Sequence, residues 1–114
     1  RERIASRLLL RQKAFTFFPS DAVQRTGKYE FRLLLNPGDF TSAKEAFQQA
    51  IENYWSFPPY RLQVIWTETD PRSYKFVFEP FGTFNHVDGE QKRIFLTEQI
   101  TDGTLVHEMG HVLL

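Results

Sequence analysis

Between Tyr29 and Phe78 the apolar residues change their spacing twice, and this restricts the fold more than any other feature of the chain. In 28–36 (KYEFRLLLN), Tyr29, Phe31, Leu33 and Leu35 alternate with other residues, the two-residue period of a strand with one packed face. Asn36-Pro37-Gly38-Asp39 is turn chemistry. Ala43, Ala46, Phe47, Ala50, Ile51 and Tyr54 then recur at three- and four-residue spacing, which makes one apolar stripe on a helix. Ser42-x-x-Glu45 reads as a capping box that opens this helix, and Pro58-Pro59 closes it. The two-residue period returns in 61–68 (RLQVIWTE) through Leu62, Val64 and Trp66, and in 73–79 (SYKFVFE) through Tyr74, Phe76 and Phe78. Asp70-Pro71 separates the two runs.

Further on, Asp88-Gly89 predicts a two-residue hairpin turn of type I′. From Thr101 or Asp102 onward the pattern is helical, with Leu105, Met109 and Val112 on one side. The order strand, helix, strand, strand, hairpin, helix predicts an α+β fold. Its expected form is a twisted mixed sheet of about four to five strands, with a backing helix and a C-terminal helix. Residues 1–14 (RERIASRLLLRQKA) predict a charged helix with Ile4, Leu8 and Leu9 on one side. We therefore set residues 1–27 apart as a helical or irregular leading segment and take 28–114 as the folded subdomain. The 114 residues hold one domain at most.

Composition removes several functions. Lys plus Arg and Asp plus Glu both number 14, which argues against a dedicated nucleic-acid or anionic-membrane binder. No apolar run approaches the ~20 residues of a membrane span. The chain has no cysteine, so a metal must be held by imidazole, carboxylate or water. The twelve phenylalanines read as core filling.

The last stretch with chemical meaning is His107-Glu108-Met109-Gly110-His111, an H-E-x-x-H pattern. Two imidazoles four residues apart on a helix project from one face and can reach a single zinc ion, Zn2+. Glu108, beside the first of them, is placed to take a proton from an activated water as general base. With three histidines and nine glutamates in the chain, random draws produce such a pattern in roughly 0.6 per cent of cases. We therefore take His107 and His111 as metal ligands and Glu108 as the catalytic base. His86, the only other histidine, could supply a third ligand if an edge strand crosses the cleft, but a turn residue facing water is the preferred expectation, and Asp88 is explained by the hairpin turn. Glu98 and Asp102 are candidates for supporting the ligands, although helix capping by Asp102 is the simpler account. Gly110 costs the helix ~1 kcal/mol against alanine, which suggests close approach of a neighbouring segment.

The run T-L-V-H-E-M-G-H-V-L-L resembles the active-site helix of the zincin metallopeptidases, in which apolar residues precede H-E-x-G-H. The resemblance extends weakly over 28–114, with 81–97 in the place of an edge strand that lines the substrate cleft. It implies the upper, N-terminal part of a zincin catalytic domain that hydrolyses peptides or proteins. By the same resemblance His107 and His111 bind zinc and Glu108 is the base. The metzincin branch, including the matrixin-like enzymes, continues with a glycine three residues after the second histidine, and here that position is Leu114. Leu114 instead fits zincins whose helix runs on and whose third ligand, a Glu, Asp or His, comes from a later element. The only methionine is Met109, and the sequence ends within a helical pattern. Both lead to the expectation of a piece of a longer protein, inactive by itself. Two alternatives stay open: a zincin-like scaffold or interaction module without catalysis, and a metal-dependent hydrolase acting on something other than peptides.

Overall fold

A computed structural model describes residues 20–56, 58–82, 84–98 and 100–113. The helix expected over 1–14 lies outside the described residues. Six strands form one mixed sheet: β1 (Val23–Arg25), β2 (Glu30–Asn36), β3 (Arg61–Trp66), β4 (Tyr74–Phe78), β5 (His86–Asp88) and β6 (Arg93–Leu96). Two α-helices accompany it, α1 (Lys44–Trp55) and α2 (Asp102–Leu113). The fold is α+β, with one more strand than the upper end of the expected range. The addition is β1, in a stretch with no apolar alternation to reveal it.

β2 is the central strand. β3 runs parallel along one edge of it, from Glu30 opposite Arg61 to Leu35 opposite Trp66. The other edge is shared. Antiparallel β1 pairs with Phe31–Leu33, and parallel β4 joins only at Leu35 and Asn36. β6 lies parallel to β4, and β5 closes that side antiparallel to β6, with His86 opposite Phe95. The lateral order places β5 at the far margin of the sheet, and that position matters for the site.

The connection from β2 to β3 through α1 packs the helix onto the sheet. Phe47, Ile51 and Trp55, spaced four apart, are its buried residues, while Ala46 of the expected stripe is exposed. Phe47 meets Phe76 of β4 with ring centroids 5.2 Å apart. The outer edge of β3 is covered from the same helix: the Glu52 carboxylate accepts a hydrogen bond from the Val64 amide at 2.8 Å. Such cover deprives an edge strand of its free donors.

The entry to α1 differs from the expected capping box. A 3-10 helix, Gly38–Ala43, precedes it, the N-cap is Ala43, and no side chain caps the first turn. The chain turns instead at Gly38, whose φ is +52° and whose amide donates to Asn36 Oδ1 at 3.0 Å. A Cβ at Gly38 would stand 2.0 Å from the Phe76 carbonyl oxygen, so glycine is required here. Asp39 then ties the turn to β4 by accepting from the Phe78 amide at 2.9 Å.

The expected two-residue hairpin also differs. Four residues, Gly89 to Lys92, join β5 to β6. Asp88 pairs with Arg93 across the ladder, and its Oδ1 accepts from the amides of Glu90 and Gln91 at 3.0 and 3.1 Å. The left-handed residue is Lys92, at φ 53°. An aspartate side chain that organises the turn makes the Asp88-Gly89 pair unnecessary as a type I′ corner. No described helix is long and apolar enough to cross a membrane.

Candidate metal centre

α2 starts on Thr101. Its carbonyl accepts from the Leu105 amide at 3.0 Å and its hydroxyl from the Thr104 amide at 3.2 Å, so Thr101 is the cap. Asp102, the expected cap, sits exposed in the first turn, where its charge complements the helix dipole. Leu105, Met109 and Val112 are fully buried, as their spacing predicts, and Val106 and Leu113 widen the packed face. α1 holds this helix in place: the Trp55 indole N–H donates to the Val106 carbonyl at 3.2 Å. The same indole lies over Gly110, where a Cβ would meet Trp55 Cζ2 at 3.5 Å, an ordinary contact. The segment close to Gly110 is therefore a tryptophan side chain, and there is room for a methyl group.

His107 and His111 occupy the opposite, exposed face, one turn apart. Their ring centroids are 5.0 Å apart with the planes at 81°, so both imidazoles reach the same space. Glu108 lies about 100° around the helix from His107 and is turned inward. It is 5 % exposed, and its Oε2 has no hydrogen-bond partner among the described residues. A buried carboxylate oxygen without a partner costs the fold free energy, so its retention asks for another reason.

One cleft of about 430 Å³ joins these side chains to the margin of the sheet. His107, Glu108 and His111 line one wall; Asn85, His86 and Gly89, from β5 and its flanking turns, line the other. His86 is accordingly half-buried on a strand, not a turn residue facing water. Its ring stacks on Phe95 of β6, with centroids 4.6 Å apart and planes at 18°. Sequence reasoning weighed it only as a third metal ligand and preferred a turn position; the stack depends on the β5–β6 register, which no local pattern encodes.

The residues present fit part of a zinc site. Two exposed imidazoles at helical spacing offer nitrogen ligands, and a buried carboxylate stands beside them. Among the described residues no group of three His, Asp or Glu side chains could hold a metal ion together. Neither imidazole has a hydrogen-bond partner among the described residues, whereas ligating histidines ordinarily donate the second ring N–H to an orienting acceptor. Glu98 and Asp102, considered for that role, are exposed and do not line the cleft.

The acids held below their ordinary range lie elsewhere. The Arg72 guanidinium beside Asp70 pulls that carboxyl from 3.8 to about 2, chiefly through two side-chain hydrogen bonds at 2.8 and 3.1 Å. Lys92 lowers Asp21 in the same way through a direct ion pair. The first pair lies within the β3–β4 loop, and the second ties the β5–β6 loop to the residues just before β1. No family model, curated protein or solved structure matches the chain.

Proposed function

We propose that this chain carries the zinc-binding helix and one wall of the substrate cleft of a zincin-type metallopeptidase. The observation that carries the reading is Glu108: a buried carboxylate with an unpartnered oxygen, sharing a cleft with two exposed imidazoles four residues apart. The motif and its apolar flank support it, as does the α+β layout with a backing helix and an edge strand beside α2. His107 and His111 would hold the metal, with a third protein ligand from outside the described residues. Zinc held there would supply Lewis acidity to a peptide carbonyl and to a water molecule. Glu108 accepts the proton of the attacking water on its carboxylate and returns it to the departing amine, the general acid–base role. Burial of α2 on Leu105, Met109 and Val112 keeps the three side chains from drifting apart.

The test uses the protein that contains this segment. Glu108→Gln should keep zinc affinity within about twofold while turnover of a peptide falls by about 10²–10⁴. His111→Ala should abolish tight zinc binding. Retained turnover in Glu108→Gln sinks the assignment.

A second reading, a zincin-like scaffold without catalysis, is favoured by one observation: no trio of ligands stands together among the described residues. Calorimetric titration of the 114-residue chain with zinc addresses it. Micromolar or weaker binding fits a site completed elsewhere or never completed, and turnover by the whole protein decides between those two.

A further inference from the structure

We propose that Trp55 is a positioning residue of the candidate metal centre. Its indole fixes the rotation of α2 about its own axis, and with it the aim of His107, Glu108 and His111. The catalytic consequence rests on the reading above; the hold on the helix rests on the following geometry.

α1 is seated on the outer edge of β3 by directed bonds. The Glu52 carboxylate accepts from the Val64 amide at 2.8 Å. Ser56, four residues on at the C-cap, bonds Leu62 twice: its Oγ accepts from the amide at 3.0 Å and donates to the carbonyl at 3.2 Å. Such bonds fix the helix along its axis as well as across it, because they weaken steeply when bent or stretched. Trp55 ends α1 beside Ser56 and is therefore held by the same seat. Its side chain is 2 % exposed, and Tyr54 meets the indole edge-on with centroids 5.0 Å apart.

α2 is held differently. Leu105, Met109 and Val112 bury it through apolar contact, which has no preferred direction. Among the described residues, the bond from the Trp55 N–H to the Val106 carbonyl is the one hydrogen bond that α2 receives from another element. A carbonyl has two lone pairs, so Val106 accepts it in addition to the helical bond from position 110. The same ring lies over Gly110, with Cζ2 and Cη2 3.5 and 3.7 Å from where a Cβ would stand. Positions 106 and 110 are one turn apart, and each immediately precedes one of the two imidazoles. The indole thus grips the stripe next to the one that carries His107 and His111. A rotation of α2 by about 20° moves a group at the ~5 Å outer radius of a helix by roughly 2 Å. A catalytic arrangement tolerates about 0.5 Å. Trp55 itself does not line the cleft, so it acts only through α2.

The test has two arms. In the metal-free 114-residue chain, NMR residual dipolar couplings give the orientation of α2 against α1 and β3. Trp55→Phe keeps a buried ring but loses the N–H, and should turn α2 by more than about 10°. Exchange of the Trp55 indole for benzothiophene replaces N–H by sulfur at nearly the same size, and should do the same where the phenylalanine variant does not fold. In the protein that contains this segment, either variant should lower kcat per bound zinc at least about tenfold with KM within about twofold. Trp66→Phe is the control: it removes an indole bond of 3.0 Å to Gln48 Oε1 on α1, and should lower Tm without changing kcat. An unturned α2, an unchanged kcat in the folded Trp55 variants, or an equal loss in Trp66→Phe overturns the proposal. A turned helix in a protein that hydrolyses no peptide upholds the hold on α2 and removes the peptidase assignment. Glu108-dependent hydrolysis with α2 unturned in the Trp55 variants does the reverse.

Discussion

Replacing Glu108 by methionine should make the metal-free protein more stable. The side chain is 5 % exposed and Oε2 has no partner among the described residues, so the fold carries the desolvation cost of one unsatisfied oxygen. That cost is about 1–3 kcal/mol, and methionine of similar length fills the same space without it. At about 2 cal/mol/K of unfolding entropy per residue, a 114-residue chain gains roughly 4 °C in Tm per kcal/mol. The expected rise is thus about 4–12 °C, measured by calorimetry in excess chelator so that metal binding does not add to it. His107→Ala and His111→Ala, on the exposed face, should stay within about 0.5 kcal/mol of the native chain.

The result that refutes this reasoning is a loss of stability, or none gained, in Glu108→Met. Either would mean that the carboxylate meets a stabilising partner in the folded chain and is a structural residue. A gain in stability together with a loss of turnover is the signature of a group kept for chemistry at the expense of the fold.

Two glycines should respond in opposite directions to alanine. Gly38→Ala should cost at least about 3 kcal/mol in denaturant titration, since it puts alanine at φ +52° with its Cβ 2.0 Å from a backbone oxygen. Gly110→Ala should be neutral or stabilising by up to about 1 kcal/mol, because the added methyl meets only Trp55 at 3.5 Å. For pH, Asp70 has its folded-state value lowered from 3.8 to about 2 by Arg72, so its contribution is present above about pH 4 and is lost as pH falls through 2. Arg72→Gln should return the Asp70 titration midpoint, followed by carboxyl NMR, toward 3.8.

Much of the fold was legible because its strands are packed on one face. Runs with two-residue alternation, read at 28–36, 61–68 and 73–79, correspond to β2, β3 and β4 with ends shifted by no more than two residues. β1 carries no such signal: Val-Gln-Arg offers one apolar residue, and the strand exists because β3 and β4 leave part of β2's edge unpaired. The turns were less legible for a related reason. Ser42 and Glu45 have the right spacing for a cap, but Gly38 and Asp39 had already fixed the chain through Asn36 and the Phe78 amide. At the hairpin, one aspartate side chain satisfied two amides and lengthened the loop to four residues.

The site divides along the same line. That His107 and His111 share a face follows from the helical period alone, and both are exposed. The burial of Glu108 does not follow from it. Position 108 is adjacent to the packed stripe, and whether it faces core or solvent depends on how β5 and α1 hold α2 against the sheet. Trp55 sets that by donating to Val106, a contact spanning 51 residues of sequence. His86 depends on tertiary contacts too, for it reaches the cleft only because β5 pairs with β6 in the register that sets it over Phe95. The side chains of the cleft therefore became readable in order of locality: the imidazole pair from spacing, the carboxylate from helix packing, and the opposing histidine from sheet register. A cleft of this kind is incompletely written in its motif, because the motif names side chains of one helix while the opposite wall is assembled by long-range pairing.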